Sequence, residues 1–242
     1  MSGSLYERIA QEGAAAKVPA AEPAEYPDPR ALAERLREAV AALPDEARAL
    51  GLFDQAGRLH DPATLDELLN RLRPSLVFPF AGAVRRRRLR DLARRALTGT
   101  REVGALELAC AVLGAFGGPE DAPALEAVGR HPDVVLHAAT ALASLSHWQG
   151  RASLLRLLSV TEGDARVVVV DRLLPHTREP AVRLALVRDA LQGLADEHAR
   201  EVAADIAERC GVRHWIGDPA VPDDVRAAAE RILRLAGDEP PA

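Results

Sequence analysis

Four nine-residue segments restrict what this chain can fold into. Residues 105–113 (ALELACAVL), 134–142 (VVLHAATAL), 165–173 (ARVVVVDRL) and 225–233 (VRAAAERIL) each close on a leucine: Leu113, Leu142, Leu173 and Leu233. The first closings fall about 30 residues apart and the last about twice that, so a degenerate copy is expected between them, at residues 195–206 (ADEHAREVAADI). A fixed period of roughly 20–50 residues marks stacked supersecondary units that share one continuous core. The clearest unit runs over residues 103–147 as helix, turn, helix, turn, helix.

Within that unit Leu106, Ala109, Cys110, Leu113 and Phe116/Gly117 recur at helical spacing and form an apolar stripe. Gly117-Gly118-Pro119 is expected to stop the helix through a left-handed glycine and to start the next one at proline. Pro123, Leu125, Val128 and Gly129 carry a shorter helix, broken at His131-Pro132-Asp133, with Asp133 as the expected N-cap of the third. Val134, Ala138, Ala141, Leu142 and Leu145 line that third helix, and its small residues allow a neighbouring helix to approach closely.

These segments resemble the second helix of HEAT-like repeat proteins, an armadillo-like α-solenoid class. In that class the helix often reads Val-Arg-x-x-Ala-Ala-x-Ala-Leu after an Asp/Pro turn. Val225-Arg226-Ala227-Ala228-Ala229 follows the pattern. Val134 and Ala138-Ala139-x-Ala141-Leu142 follow it with Val135 in place of Arg, and Arg166 keeps the Arg while Val169 and Val170 replace the alanines. The resemblance implies an all-α fold: an α-solenoid of about five HEAT-like helix pairs over residues 85–236. It implies no activity, because fold does not fix function.

Ahead of the array, residues 1–29 are biased toward Ala, Glu and Pro, and form a flexible lead-in after a short helix at 5–11. Residues 30–84 form an N-terminal helical extension, with helices at 30–43, 45–52 and from 62, a turn-rich stretch at 53–60, and an extended apolar connector at 74–80. Residues 237–242 are a fraying tail. Later helices are expected at 150–160, 164–175, 180–193, 194–210, 212–217 and 222–235. The β-branched run 167–170 is assigned to helix on the repeat phase. Aromatics make up only 3% of the chain, so the core must be Leu, Ala and Val, which suits helix-on-helix packing.

One charge cluster stands out. Between Arg85 and Arg95 there are seven Arg and one Asp. Leu89, Leu92, Ala93, Ala96 and Leu97 must face inward, which leaves Arg86, Arg87, Arg90 and Arg94 as the candidate partner- or polyanion-binding residues. Guanidinium groups bind phosphate well, but the net charge of −5 argues against a dedicated nucleic-acid binder. Ion pairing with acidic residues elsewhere is the competing use of this face. Some HEAT-like proteins, including the alkylpurine DNA glycosylases, bind DNA through a basic concave cleft with aromatics and a carboxylate. Trp148, Trp215, Asp171 and Asp218 supply those residue types here.

The seven histidines show no ligand spacing, and no HExxH or CxxC motif occurs, so neither metal nor cofactor is expected. Ser144, Ser146, Ser153 and Ser159 lack a nucleophile setting, and Gly114-x-x-Gly117-Gly118 ends a helix rather than following a strand. Cys110 is expected to be a reduced, buried thiol. Abundant Ala, Gly and Pro with a single Lys, Lys17, is a bias that GC-rich bacterial genomes impose. No leader pattern or long apolar run is present, so a cytoplasmic, non-enzymatic scaffold is expected. Its partner is expected to be a protein, with nucleic acid second and no membrane contact.

Overall fold

A computed structural model of the chain describes residues 5–12, 31, 32, 34, 35, 38, 51, 55, 79–100, 102–145 and 148–237. Every element is helical, and no strand occurs among the described residues. The helices are α1 (Leu5–Glu12), α2 (Pro79–Gly99), α3 (Val103–Phe116), α4 (Ala122–Val128), α5 (Val135–Ser144), α6 (Trp148–Val160), α7 (Gly163–Leu173), α8 (Pro180–Asp189), α9 (Asp196–Cys210), α10 (Arg213–Ile216) and α11 (Asp223–Ala236). Short 3-10 turns cover Pro119–Asp121 and Leu174–His176. The valine run at 167–170 is helical, inside α7. The expected lead-in at 13–29, the helix from 62, and His60 and His147 lie outside the described residues.

The chain divides into two compact units, Met1–Gly150 and Arg151–Ala242. In the first, α2 pairs with α3 and α4 with α5; α3 packs on α5, and α1 lies against both α2 and α4. In the second, α7 packs on α9 and α9 on α11, while α8 lies against α7, α9 and α11, and α10 against α11. In the second unit, then, alternate helices of the chain, α7, α9 and α11, pack on one another, whereas in the first the consecutive pair α2 and α3 is also closely packed.

Matching positions of the four nine-residue segments are buried alike. All four closing leucines, Leu113, Leu142, Leu173 and Leu233, are fully buried. So are the residues one turn earlier, Ala109, Ala138, Val169 and Ala229. An i, i+4 pair on one face is the minimum stripe a helix needs to bury against a neighbour. At residues 195–206, Val202 and Ile206 supply a buried pair at the same spacing on α9.

Arginine stands at the second position of two of these segments, and each side chain donates to a backbone carbonyl five residues upstream. Arg166 Nε donates to Thr161 O at 2.7 Å, and Arg226 Nη2 to Val221 O at 3.0 Å. Arg166 is 4% exposed and reaches further, to the carbonyls of Asp189 and Gln192 at the end of α8. A buried guanidinium there satisfies carbonyls the helix cannot, and sits at the negative end of its dipole.

Several local expectations are corrected. Gly117 is not left-handed: its φ is −74° and ψ 179°. Glycine is required for space instead, because a Cβ would lie 2.3 Å from Leu113 O and 2.8 Å from Asp121 Oδ2. Asp133 does not cap α5 with its side chain. The carbonyl of His131 takes the N–H groups of Val134 and Val135, and Asp133 N–H donates to His131 Nδ1. Pro79 and Phe80, expected in an extended connector, open α2, since a proline costs nothing at a first helical position. Gln55, expected in a turn, is helical, and its Oε1 accepts a bond from Arg35.

Gly114 marks where α3 and α5 come closest. A Cβ there would sit 2.8 Å from Ala141 Cα and 3.1 Å from Ala141 Cβ. The small residues of this face thus set the separation of the two helices.

Candidate functional site

Helix α2 positions the arginine cluster. Past its first turn it is built mainly from Arg, Leu and Ala, all strong helix formers, with no glycine or proline before Gly99. Leu89, Leu92, Ala93, Ala96 and Leu97 are buried, as their spacing requires. That burial fixes the rotation of the helix and so decides where each guanidinium goes.

The four candidate arginines divide into two kinds. Arg94 is committed to structure. Its Nε donates to Asp121 Oδ1 at 2.5 Å, its Nη2 to Asp121 Oδ2 at 3.1 Å and to Glu120 Oε1 at 2.7 Å, and its Nη1 lies 3.6 Å from Asp91 Oδ1. Asp121 is 3% exposed, and its Oδ2 also accepts Gly118 N–H at 2.8 Å. The hydrogen bond to Asp121, followed by that to Glu120, raises the Arg94 pKa despite partial burial. Glu120 is held below the usual carboxylate range by its backbone hydrogen bond and by Arg94. This network fastens α2 to the turn between α3 and α4, and it uses up the charge of Arg94.

Arg86, Arg87 and Arg90 line an open cleft of about 490 Å³ together with Ala115, Phe116 and Gly117. Arg86 and Arg87 are exposed. Arg87 touches Asp91 only at 4.0 Å, with its side chain 79% exposed, so the pair is weak. Arg90 is half-buried. Its Nη1 lies 3.7 Å from Glu120 Oε1, too far for a hydrogen bond. Its Nε is buried and finds no acceptor among the described residues. Phe116, which closes the stripe on α3, is only half-buried and turns part of its ring to the cleft.

The remaining sequence candidates have local roles. Asp171 pairs with its neighbour Arg172, and Asp218 Oδ1 accepts Ala220 N–H, closing a turn. Trp148 is exposed and Trp215 half-buried. His131 is buried, and His198 Nδ1 lies 3.2 Å from Asp164 Oδ1. His137, on α5, faces Glu107 of α3 across 3.7 Å. Glu107 is a feature the sequence reading missed: burial first, and the charge of Asp133 second, push its carboxyl up to about 7. Burial also pushes both thiols up, Cys110 strongly and Cys210 to about 11, so neither is a ready nucleophile.

Among the described residues no group of three or more His, Cys, Asp or Glu is arranged to hold a metal ion, and no helix is long and apolar enough to cross a membrane. Asp121 and Phe116 complete the site without a motif to announce them; the signals were an acid three residues after Gly118 and an aromatic at the end of an apolar stripe. No family model matches this chain, and no curated protein or solved structure is significantly similar to it.

Proposed function

We propose that this chain is a non-enzymatic helical-repeat scaffold of HEAT-like construction that binds a protein partner through the α2 face carrying Arg86, Arg87 and Arg90. The repeat reading is supported by the four buried closing leucines and by the Arg166 and Arg226 bonds to carbonyls five residues upstream. The binding reading is carried by one observation: three guanidinium side chains and the ring of Phe116 converge on an open cleft. Its surroundings favour protein over nucleic acid. Asp91, Glu120 and Asp121 interrupt the basic face and absorb Arg94, which shortens the run of free guanidinium groups that a phosphate backbone could follow. The two buried free thiols, Cys110 and Cys210, suit a reducing cytoplasm.

The second reading, contact with the DNA backbone in a manner similar to the alkylpurine glycosylases, draws on the exposure of Arg86 and Arg87. Affinity capture from the native host, with and without nuclease, separates the two. The scaffold reading expects a protein that survives nuclease and is lost when Arg86 and Arg87 are both changed to Glu. Capture that collapses with nuclease supports the DNA reading instead.

A further inference from the structure

We infer that the cleft of α2 and α3 takes an acidic segment of a partner protein, with carboxylates on Arg86 and Arg90 and an apolar side chain against Phe116 and Ala115. This rests on the protein-binding reading above and adds the chemistry of what is bound. Arg86 and Arg90 stand four residues apart on one helix face, where like charges repel. No described residue forms an ion pair with Arg86. The Arg90 guanidinium lines the cleft and meets Glu120 only at 3.7 Å, beyond hydrogen-bond distance. A carboxylate entering the cleft gives these guanidinium groups an acceptor and relieves the repulsion between them. Charge-assisted guanidinium–carboxylate bonds are among the stronger polar contacts available.

Spacing narrows the ligand. Four residues of helix rise about 6 Å. In an extended peptide, residues two apart lie about 7 Å from each other on the same side. A Glu-x-Glu segment therefore presents one carboxylate to each arginine. An apolar residue two positions further falls on that side too, toward the wall made by Ala115 and Phe116. A bare phosphate would leave that ring uncovered.

The test uses the full chain and a fluorescein-labelled peptide, Leu-Ser-Glu-Ser-Glu-Ser-Leu, read by fluorescence anisotropy. Two control peptides replace Leu by Ser or Glu by Gln. The expected result is binding about tenfold tighter than to either control, as for contacts that combine a charged fork with an apolar anchor. Arg86→Gln, Arg90→Gln and Phe116→Ala should each weaken it, and Arg209→Gln, on α9, should not. Arg86 is exposed, so its variant tests the cleft without touching the core; circular dichroism checks the fold of the other two. Equal binding of the Leu-to-Ser control, indifference to Arg86→Gln, or tighter binding of short duplex DNA or inorganic phosphate overturns the assignment. A native partner that is still captured by the Arg86→Gln and Arg90→Gln variants, with no peptide binding, overturns the cleft assignment and leaves the scaffold reading standing.

Discussion

Arg90 and Arg94 lie one helical turn apart, and only Arg94 is hydrogen-bonded to a buried carboxylate. Arg94 neutralises Asp121, a carboxylate with 3% exposure. Removing one partner of such a pair strands the other charge away from water, which typically costs about 3–5 kcal/mol when both are buried. Arg94 is itself one-third exposed, so Arg94→Ala is expected to destabilise by about 2–3 kcal/mol in chemical denaturation. Arg87→Ala, losing only a weak surface pair, should stay within about 0.5 kcal/mol of the parent. Equal losses for the two would show that Arg94 is not the fastening. Glu107 supports a second residue-scale prediction. Its folded carboxyl titrates at about 7 against an ordinary 4.5, so the native state holds a proton that the unfolded chain has released between those values. The contribution of this carboxyl to stability is therefore full below about pH 4.5 and is lost as pH rises toward 7. Water reaches part of this side chain, so Glu107→Gln should stabilise by about 1–3 kcal/mol at pH 8 and make little difference at pH 4.5. Denaturation midpoints that track the parent at both pH values would contradict the burial argument.

At the scale of the element, helix packing depends on a few contacts in register. Leu142 of α5 is fully buried, and Leu142→Ala is expected to cost about 2–5 kcal/mol, with an early thermal transition as the readout. Gly114 is the sharper probe of the α3–α5 contact. Any side chain there must displace Ala141 backbone at 2.8 Å, so Gly114→Val should lower the melting temperature even though valine adds apolar surface. An unchanged melting temperature would mean that the helices can part freely. These elements were legible in the sequence because the closing leucines and the residues one turn before them repeat in phase, which a periodic reading can detect. The inward set Leu89, Leu92, Ala93, Ala96 and Leu97 was legible for the same reason, and with it the outward set of arginines. What could not be read was which arginine finds an acid. Asp121 lies 27 residues from Arg94 in the chain, and only the close turn at Gly117-Gly118 brings it there. Cap geometry was also misread, since Asp133 and Gly117 carry residue types that serve several turn conformations, and neighbouring atoms decided which. The raised carboxyl of Glu107 left no trace in sequence, because burial of a charged residue between two helices depends on both rotations at once.

At the scale of the whole molecule, two electrostatic quantities point in different directions. The chain carries a net charge of −5, while α2 concentrates seven arginines and one aspartate between positions 85 and 95. A net negative field disfavours the approach of a polyanion, and screening over about 8–10 Å lets a local cluster act only at short range. The cluster is also smaller than its count suggests: Arg94 is consumed by Asp121 and Glu120, and Arg87 is partly offset by Asp91. With Arg86, Arg87 and Arg90 as the contacts from the candidate set, the log–log salt dependence of duplex DNA binding should have a slope no steeper than about −3, at about −0.9 for each phosphate. So shallow a slope means that little electrostatic affinity is available to be lost. Binding at physiological salt is then expected in the weak, non-specific range of about 10⁻⁴–10⁻⁶ M, and equally weak for any duplex sequence. Anisotropy titrations of duplex DNA from low to physiological salt measure both quantities on one sample. Changing Arg87 and Arg90 to Glu should flatten the slope while the helical circular dichroism spectrum persists. A sub-micromolar complex at physiological salt, with a slope near −6 or steeper that the double reversal abolishes, would mean that other basic residues join α2 in a continuous track, and it would move the DNA reading ahead of the protein-binding one.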